Sequence, residues 1–323
     1  MAIFHLQIKP VSRGAGRSAP AAAAYRAGER IRDERTGVLH NHSRRTDVMH
    51  KEILLPSRLQ AAGIAWAADR ASLWNAAERA ERRHNSRVAR EYQVALPVEL
   101  NASQRLQLVR SFARELADRH NVAVDLAVHA PRAGGDARNY HAHLLATSRE
   151  ITPLGFGAKA GLDMQSGERR RRGLPMGIAE IKALRERWAM RSNEALAASG
   201  LQVRIDHRSL RAQGIDREPL PRLPAAAIYM ERRGVRSEIA ERIREGYRVR
   251  VQARLERAAQ RSAAPGQEPD LEAVRRQARE AWLQLRARAQ AGPQPSPAQH
   301  PAAERNRSAM TPEHDAADRD FAL

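Results

Sequence analysis

The chain has 323 residues, no cysteine and a formal net charge of +19. Without cysteine, disulfides, thiolate metal sites and cysteine nucleophiles are excluded, and no apolar run reaches the roughly 18 residues that a membrane-spanning helix needs. Arginine is spread along the whole chain, so the charge points to a polyanionic partner, nucleic acid first.

The length suggests two domains, or one domain and a tail. The N-terminal MAIFHLQIKP lacks a basic segment followed by a long apolar one, so no signal peptide and a cytoplasmic protein are expected. Residues 2–9 alternate and predict a strand. VSRGAGRS follows as a basic loop, and Ser18 with Pro20 opens a helix through AAAAYRAGERI. Residues 33–50 are polar and rich in His and Arg, and KEILLP (51–56) predicts a short strand. Residues 66–87 have helical periodicity, with Trp66, Leu73, Trp74 and Ala77 on one side. REYQVALP (90–97) predicts a strand, and residues 101–121 an amphipathic helix capped by Asn101 or Ser103. VAVDLAVHAP (122–131) and YHAHLLATS (140–148) predict a β-hairpin with a long basic tip. Residues 152–175 look irregular and basic, 179–199 helical, and 201–215 a short strand or turn with a helical segment. The expected domains are 1–222 folded, 223–290 a helical extension and 291–323 a disordered tail without apolar periodicity.

NYHAHLLATS (139–148) places His141 and His143 on one face of a strand. An HxH pair alone is a weak metal signal. His129, near the end of the preceding strand, strengthens it, because cross-strand Cβ atoms about 4.5–5.5 Å apart bring three imidazoles to one ion. Three neutral ligands leave the ion's charge uncompensated, which suits polarising a phosphate oxygen. His5, His40, His42, His50 and His84 read as loop or surface residues, although HNHSRR could border the site.

Without cysteine, the nucleophile is a bound water, a Ser or a Tyr. Five tyrosines occur, at 25, 92, 140, 229 and 247. Tyr25 follows four alanines and is flanked by Arg13, Arg17, Arg26 and Arg30, which suits holding phosphates around an accessible phenol. Nearby cations favour a phenolate, which attacks phosphorus to give a phosphotyrosyl ester. On the residues alone the choice stays open, since exposed helical tyrosines are common.

These stretches together resemble the MobA/MobL family of plasmid mobilisation relaxases, which belong to the HUH endonucleases. The resemblance runs through MAIFHLQIKPVSRGAGRSAPAAAAYRAGE, SRRTDVMHKEILLP, SLWNAAERAERR, AREYQVALPVEL, VDLAVHAPRAGGDARNYHAHLLATSRE and RIDHRSLRAQGIDREPLP, covering about residues 1–221. It implies an α+β fold: a central antiparallel sheet of about five strands, helices packed on one face and a three-histidine metal site on the other. The helix carrying Tyr25 would lie across that site. It also implies a nickase acting on single-stranded or hairpin plasmid DNA at a transfer origin, through a 5′-phosphotyrosyl intermediate. Tyr25 falls on the nucleophile position, and His129, His141 and His143 on the ligands of a divalent metal, Mg2+ or Mn2+. Glu91 matches an acidic position and would orient a ligand or accept a proton. Some relatives have a second acid where this chain has Gln93. Relatives often have Tyr in place of His42. Asp206, His207 and Arg208 would either pack the closing segment or touch phosphate. Arg13, Arg17, Arg44 and Arg208 are the expected DNA contacts, in basic loops at 11–17, 43–45 and beyond; 167–172 is another such loop. Accessory mobilisation proteins and a type IV secretion coupling protein are the implied partners, with no membrane insertion. Competing readings are a rolling-circle replication initiator, whose tyrosine usually follows the histidine motif, a water-using metal-dependent phosphodiesterase, and a DNA-binding protein with structural histidines.

Overall fold

A computed structural model describes residues 2–60, 63–132 and 136–263, with Arg276, Arg279 and Glu280. Described residues up to Ile215 form one compact unit and those from Asp216 a second. In chain order the first unit contains β1 (Leu6–Ser12), α1 (Ala19–Ala27), β2 (Arg30–Arg32), β3 (Leu39–Asn41), β4 (Val48–Leu54), α2 (Ser57–Gln60), α3 (Ala65–Ala68), α4 (Arg70–Arg79) and β5 (Arg87–Ala95). It continues with α5 (Ala102–His120), β6 (Val124–His129), β7 (His141–Thr147), β8 (Arg149–Thr152), β9 (Gly155–Lys159), α6 (Ser166–Arg171) and α7 (Gly177–Ala198). The second unit holds α8 (Ala225–Arg232) and α9 (Glu238–Ala263). It is tied internally by Arg244 to Glu231 at 2.6 Å and Arg250 to Glu218 at 2.7 Å. Most of 264–290 and the whole expected tail, 291–323, lie outside the described residues.

Local chemistry sets the helix ends. Ser18 Oγ accepts from Ala21 N at 3.2 Å, Pro20 sits in the first turn, and Gly28 ends α1 in the left-handed conformation at φ 61°. A Cβ at Gly28 would also stand 3.1 Å from Val48 Cγ2, so this turn is closed to larger residues. The predicted helix therefore stops before Glu29, and the chain turns into the β2–β3 hairpin. The periodic stretch at 66–87 is broken at Asp69, which leaves the helix to cap α4 by accepting from Ser72 N at 2.8 Å. Asn101 caps α5 in a reciprocal box with Gln104. Residues 201–215 form bends and turns rather than a strand or helix. They are held by Asn193, whose amide brackets both backbone groups of Ile205 at 2.8 and 2.9 Å.

The sheet has five strands, all antiparallel, in the order β1-β5-β7-β6-β4. β1 and β4 are its edges. Pro10, which lacks a donor, is tolerated because β1 pairs on one side only. Both edge strands carry a register shift, at Val11/Ser12 and at Val48/His50. One face carries Leu6, Tyr92, Val94, Leu126, Val128, Ala142 and Leu144, buried against α5 and α7. Phe112 and Trp188 meet there with ring centroids 5.1 Å apart.

The opposite face carries the three histidines at one end, as the resemblance implies. Helices occupy its other end as well. Alanines of α1 and Leu73, Trp74 and Ala77 of α4 cover Ala89 and Leu145. The cause is compositional: that half of the face is apolar and needs cover. It also bears the buried Asp125, which α4 satisfies with Arg70 at 2.8 and 2.9 Å and Trp74 Nε1 at 2.9 Å. Among the described residues no helix is long and apolar enough to cross a membrane.

A second buried charged group lies where α5, α6 and α7 meet. His120 stands 3.7 Å from Glu180, and its ring fills the space a Cβ on Gly161 would need. Burial pushes the imidazole down from 6.5 to about 4; Arg119, Arg169 and Arg187 add to that, against Glu180. The unfolded chain takes up this proton near 6.5 and the folded one near 4. Between those values the unfolded state binds more protons, so this contribution to stability is complete above 6.5 and is lost as pH falls towards 4. Urea unfolding at both pH values is expected to show a smaller acid-induced loss in His120→Gln than in the wild type. Equal losses would show that His120 does not carry this part of the pH dependence.

Candidate active site

β6 and β7 pair so that His129 stands directly opposite His141 and Ala127 opposite His143. The period of two puts all three imidazoles on one face. Their ring centroids are 4.9–5.2 Å apart, and one ligand atom from each lies within 4.8 Å of the others. All three side chains are buried.

The hydrogen-bond partners fix the tautomers. His141 Nδ1 faces the Asn139 carbonyl at 3.0 Å and His143 Nδ1 faces the Glu91 carboxylate at 2.6 Å. Both partners accept only, so each Nδ1 carries the proton and each Nε2 keeps a lone pair. His129 is reversed: its Nε2 meets the Arg26 carbonyl at 2.8 Å, which leaves the lone pair on Nδ1. Three imidazoles, each oriented by an acceptor behind it and in neutral form presenting one lone pair inward, are a donor set that suits a divalent cation. The residues therefore fit a bound metal. At His129 a cation would address the same nitrogen as Arg45, whose Nη2 lies 3.3 Å from Nδ1.

Glu91 is the hinge of the arrangement. It lies on β5 beside β7 and is 3% exposed. Its carboxylate takes Arg26 Nε at 2.7 Å and Arg26 Nη2 at 2.6 Å as well as His143. Burial acts to raise its pKa, but the Arg26 guanidinium and the His143 hydrogen bond outweigh this and hold it well below the usual carboxylate range. Glu91 therefore stays ionised and acts on the site through His143.

Tyr25 precedes Arg26 on α1 and is 8% exposed, less open than its alanine neighbours suggest. The phenol oxygen accepts from Arg132 Nη2 at 2.8 Å. Arg45 lies over the ring, 4.3 Å from its centroid, and donates to the Tyr25 carbonyl at 3.0 Å. His42 meets the ring edge-on with centroids 5.2 Å apart. The same Arg45 guanidinium reaches His129, so Tyr25 and the histidines share one neighbour. Asp47 fixes Arg45 at 2.9 Å; burial acts to raise its carboxyl, but Arg45 holds it down at about 2.

The expected DNA contacts divide. Arg17 and Arg44 are exposed. Arg208 is exposed but grips Asp206 at 2.7 Å. Arg13 requires correction. Its side chain is 9% exposed and bonds Glu78 at 2.7 Å and the Glu81 and Arg83 carbonyls at 2.9 and 3.1 Å. It fastens the β1–α1 loop to α4, because the buried Glu78 needs a cation. Arg26, Arg45, Asp47 and Arg132 are the site residues that periodicity did not single out. Arg26 was noted only as one of the arginines flanking Tyr25, and only the charge run around HNHSRRTD and the basic hairpin tip marked the neighbourhood of the others.

Residues 17–233 match the family model described as the MobA/MobL family. The chain belongs to the MobA/MobL family. It is similar to the mobilization protein MobL of Acidithiobacillus ferridurans, 40% identical over 258 residues, which cover 72% of this chain and 65% of that protein. It is also similar to a probable mobilization protein MobA of Bifidobacterium longum (strain NCC 2705), 34% identical over 276 residues, 76% of this chain and 47% of that one. A solved structure described as "Molecular Basis of Vancomycin Resistance Transfer in Staphylococcus aureus" aligns with a TM-score of 0.53 at 30% identity, over 64% of this chain and 100% of that chain. This MobA/MobL chain thus spans less than two thirds of the length of the MobL and MobA relatives it matches.

Replacing Glu91 by Gln keeps its shape and removes the charge that faces the buried Arg26. Loss of one member of such a pair is expected to cost about 3–5 kcal/mol in urea unfolding. A cost below about 1 kcal/mol, the range of exposed pairs, would show that the pair does not hold α1 on the sheet.

Proposed function

We propose that the protein is a relaxase, a metal-dependent enzyme that nicks and rejoins single-stranded or hairpin DNA at a plasmid transfer origin. The observation that carries this reading is the sharing of Arg45 between the Tyr25 ring and His129, which sets a phenol beside three convergent imidazoles. Membership of a family whose similar members are named mobilization proteins supports it.

In this reading His129, His141 and His143 hold a divalent cation, Mg2+ or Mn2+. The cation supplies Lewis-acid stabilisation to the non-bridging oxygens of the scissile phosphate. Tyr25 Oη loses its proton and bonds to phosphorus in line with the departing 3′ oxygen. The P–O3′ bond breaks, that oxygen takes up a proton, and the 5′-phosphate remains on the tyrosine. Attack by a free 3′-hydroxyl runs the same exchange backwards and releases the phenol. Arg132, which donates to the phenol oxygen, and Arg45, over its ring, place positive charge where the phosphate arrives. Glu91 holds His143 in the tautomer that keeps Nε2 available. The exposed Arg17 and Arg44 track the strand's phosphates, and Arg208 joins them if it leaves Asp206. The strand is unpaired in this reading because a flexible single strand can turn its scissile phosphate in towards the buried imidazoles, which a stiff duplex resists. Binding should weaken steeply with salt, as expected for a chain of +19. Accessory mobilisation proteins and a secretion coupling protein would complete a cytoplasmic assembly.

Incubation with a cognate oligonucleotide and Mn2+ is expected to give a covalent protein–DNA adduct, located by mass spectrometry on Tyr25. Tyr25→Phe should abolish it while strand binding changes little. Chelation or His143→Ala should reduce it to background. Cleavage without an adduct would favour a bound-water mechanism, and an adduct on Tyr92 or Tyr140 would displace Tyr25 as nucleophile.

A further inference from the structure

One line across the sheet runs Gln7, Gln93, His143, Ala127, each residue directly opposite the next. Both glutamines therefore share the histidine face. Gln93 is 1% exposed, a position where an aliphatic side chain would pack without cost in hydrogen bonds. Its Nε2 and the Oε1 of Gln7 are buried and find no hydrogen-bond partner among the described residues. An unmet buried polar group costs about 1–3 kcal/mol. Two residues away on the same strand, the Glu91 carboxylate is bonded on both oxygens. An amide that served only to fix strand register would show its partner in the fold.

The two orphaned atoms are a donor and an acceptor on neighbouring strands. One oxygen that both gives and takes a proton, such as a water, satisfies the pair in the protein alone. A phosphate oxygen only accepts, and it would take the Gln93 N–H. Gln93 is uncharged, so it offers its N–H without adding to the charge of the Glu91 carboxylate already bonded to His143. Resting on the relaxase reading above, we propose that Gln93 contacts the substrate directly, donating a hydrogen bond to a phosphate oxygen of the DNA strand held beside His143.

Gln93→Leu decides the matter because it removes the donor but no hydrogen bond of the fold. Its melting temperature is expected to equal or exceed that of the wild type, and its affinity for a non-cleavable oligonucleotide to stay within about twofold. Single-turnover adduct formation with Mn2+ should slow about tenfold or more, as when one aligned donor to a developing charge is lost. A second arm needs no cleavage. In the Tyr25→Phe protein, the side-chain amide proton resonances of Gln93, identified by their loss in the Gln93→Leu protein, should shift when the oligonucleotide is added. Adduct formation at the wild-type rate in Gln93→Leu, amide protons unmoved by DNA, or a rate loss matched by a large drop in melting temperature would each overturn the proposal. A wild-type protein that forms no adduct, or a Tyr25→Phe protein that does, would instead count against the relaxase reading, while the resonance shift still reports on Gln93.

Discussion

The buried chain Arg26–Glu91–His143 holds the candidate site together. Through one guanidinium it fastens the tyrosine helix to the sheet. Through one carboxylate it fixes the ring and tautomer of His143. The carbonyl of the same Arg26 does the equivalent for His129. Backbone and side chain of a single residue thus set two of three imidazoles, and that residue is covalently next to Tyr25. The phenol and the histidines are therefore not independent parts. Moving α1 by an ångström would displace the phenol and the imidazoles together, which is how supporting contacts keep a constellation of side chains within tolerance.

Charge is apportioned rather than simply accumulated. A chain of +19 would repel itself if its arginines were unpaired. Many of the buried ones are tied to carboxylates: Arg70 to Asp125, Arg90 to Asp163, Arg13 to Glu78 and Arg26 to Glu91. These arginines shape the fold and are unavailable to a phosphate backbone. The exposed residues, Arg17 and Arg44 among them, carry the field that a strand would meet. Composition alone signals a polyanion partner but does not separate these two populations, and Arg13 shows the error this invites.

Much of the fold was legible because its signals are local. The alternation in 90–97 and 140–148, the cap at Ser18 and the box at Asn101 each act within a few residues, and the corresponding strands and helices are present. The β2–β3 and β8–β9 hairpins and α6 were missed: their segments are too short to show a period, and tertiary contacts such as those of the buried Ile31 and Ile151 stabilise them. The three histidines were legible as a group because a hairpin's register follows from its two strands. The roles of Arg45 and Arg132 were not. They depend on where a guanidinium lands after the chain has crossed the sheet, and arginine is too common in this sequence for any one to stand out. The unsatisfied amides of Gln93 and Gln7 belong to the same class, since a missing hydrogen bond has no sequence signature.

The two outermost strands have a bearing on how copies of the protein coexist. β1 is interrupted by Pro10 and a bulge, and β4 by a bulge at its start, where Val48 follows the loop that carries Arg45. Neither rim offers the long, regular row of donors and acceptors on which a foreign strand could zip up. A second chain would therefore find little regular backbone to pair with along either rim.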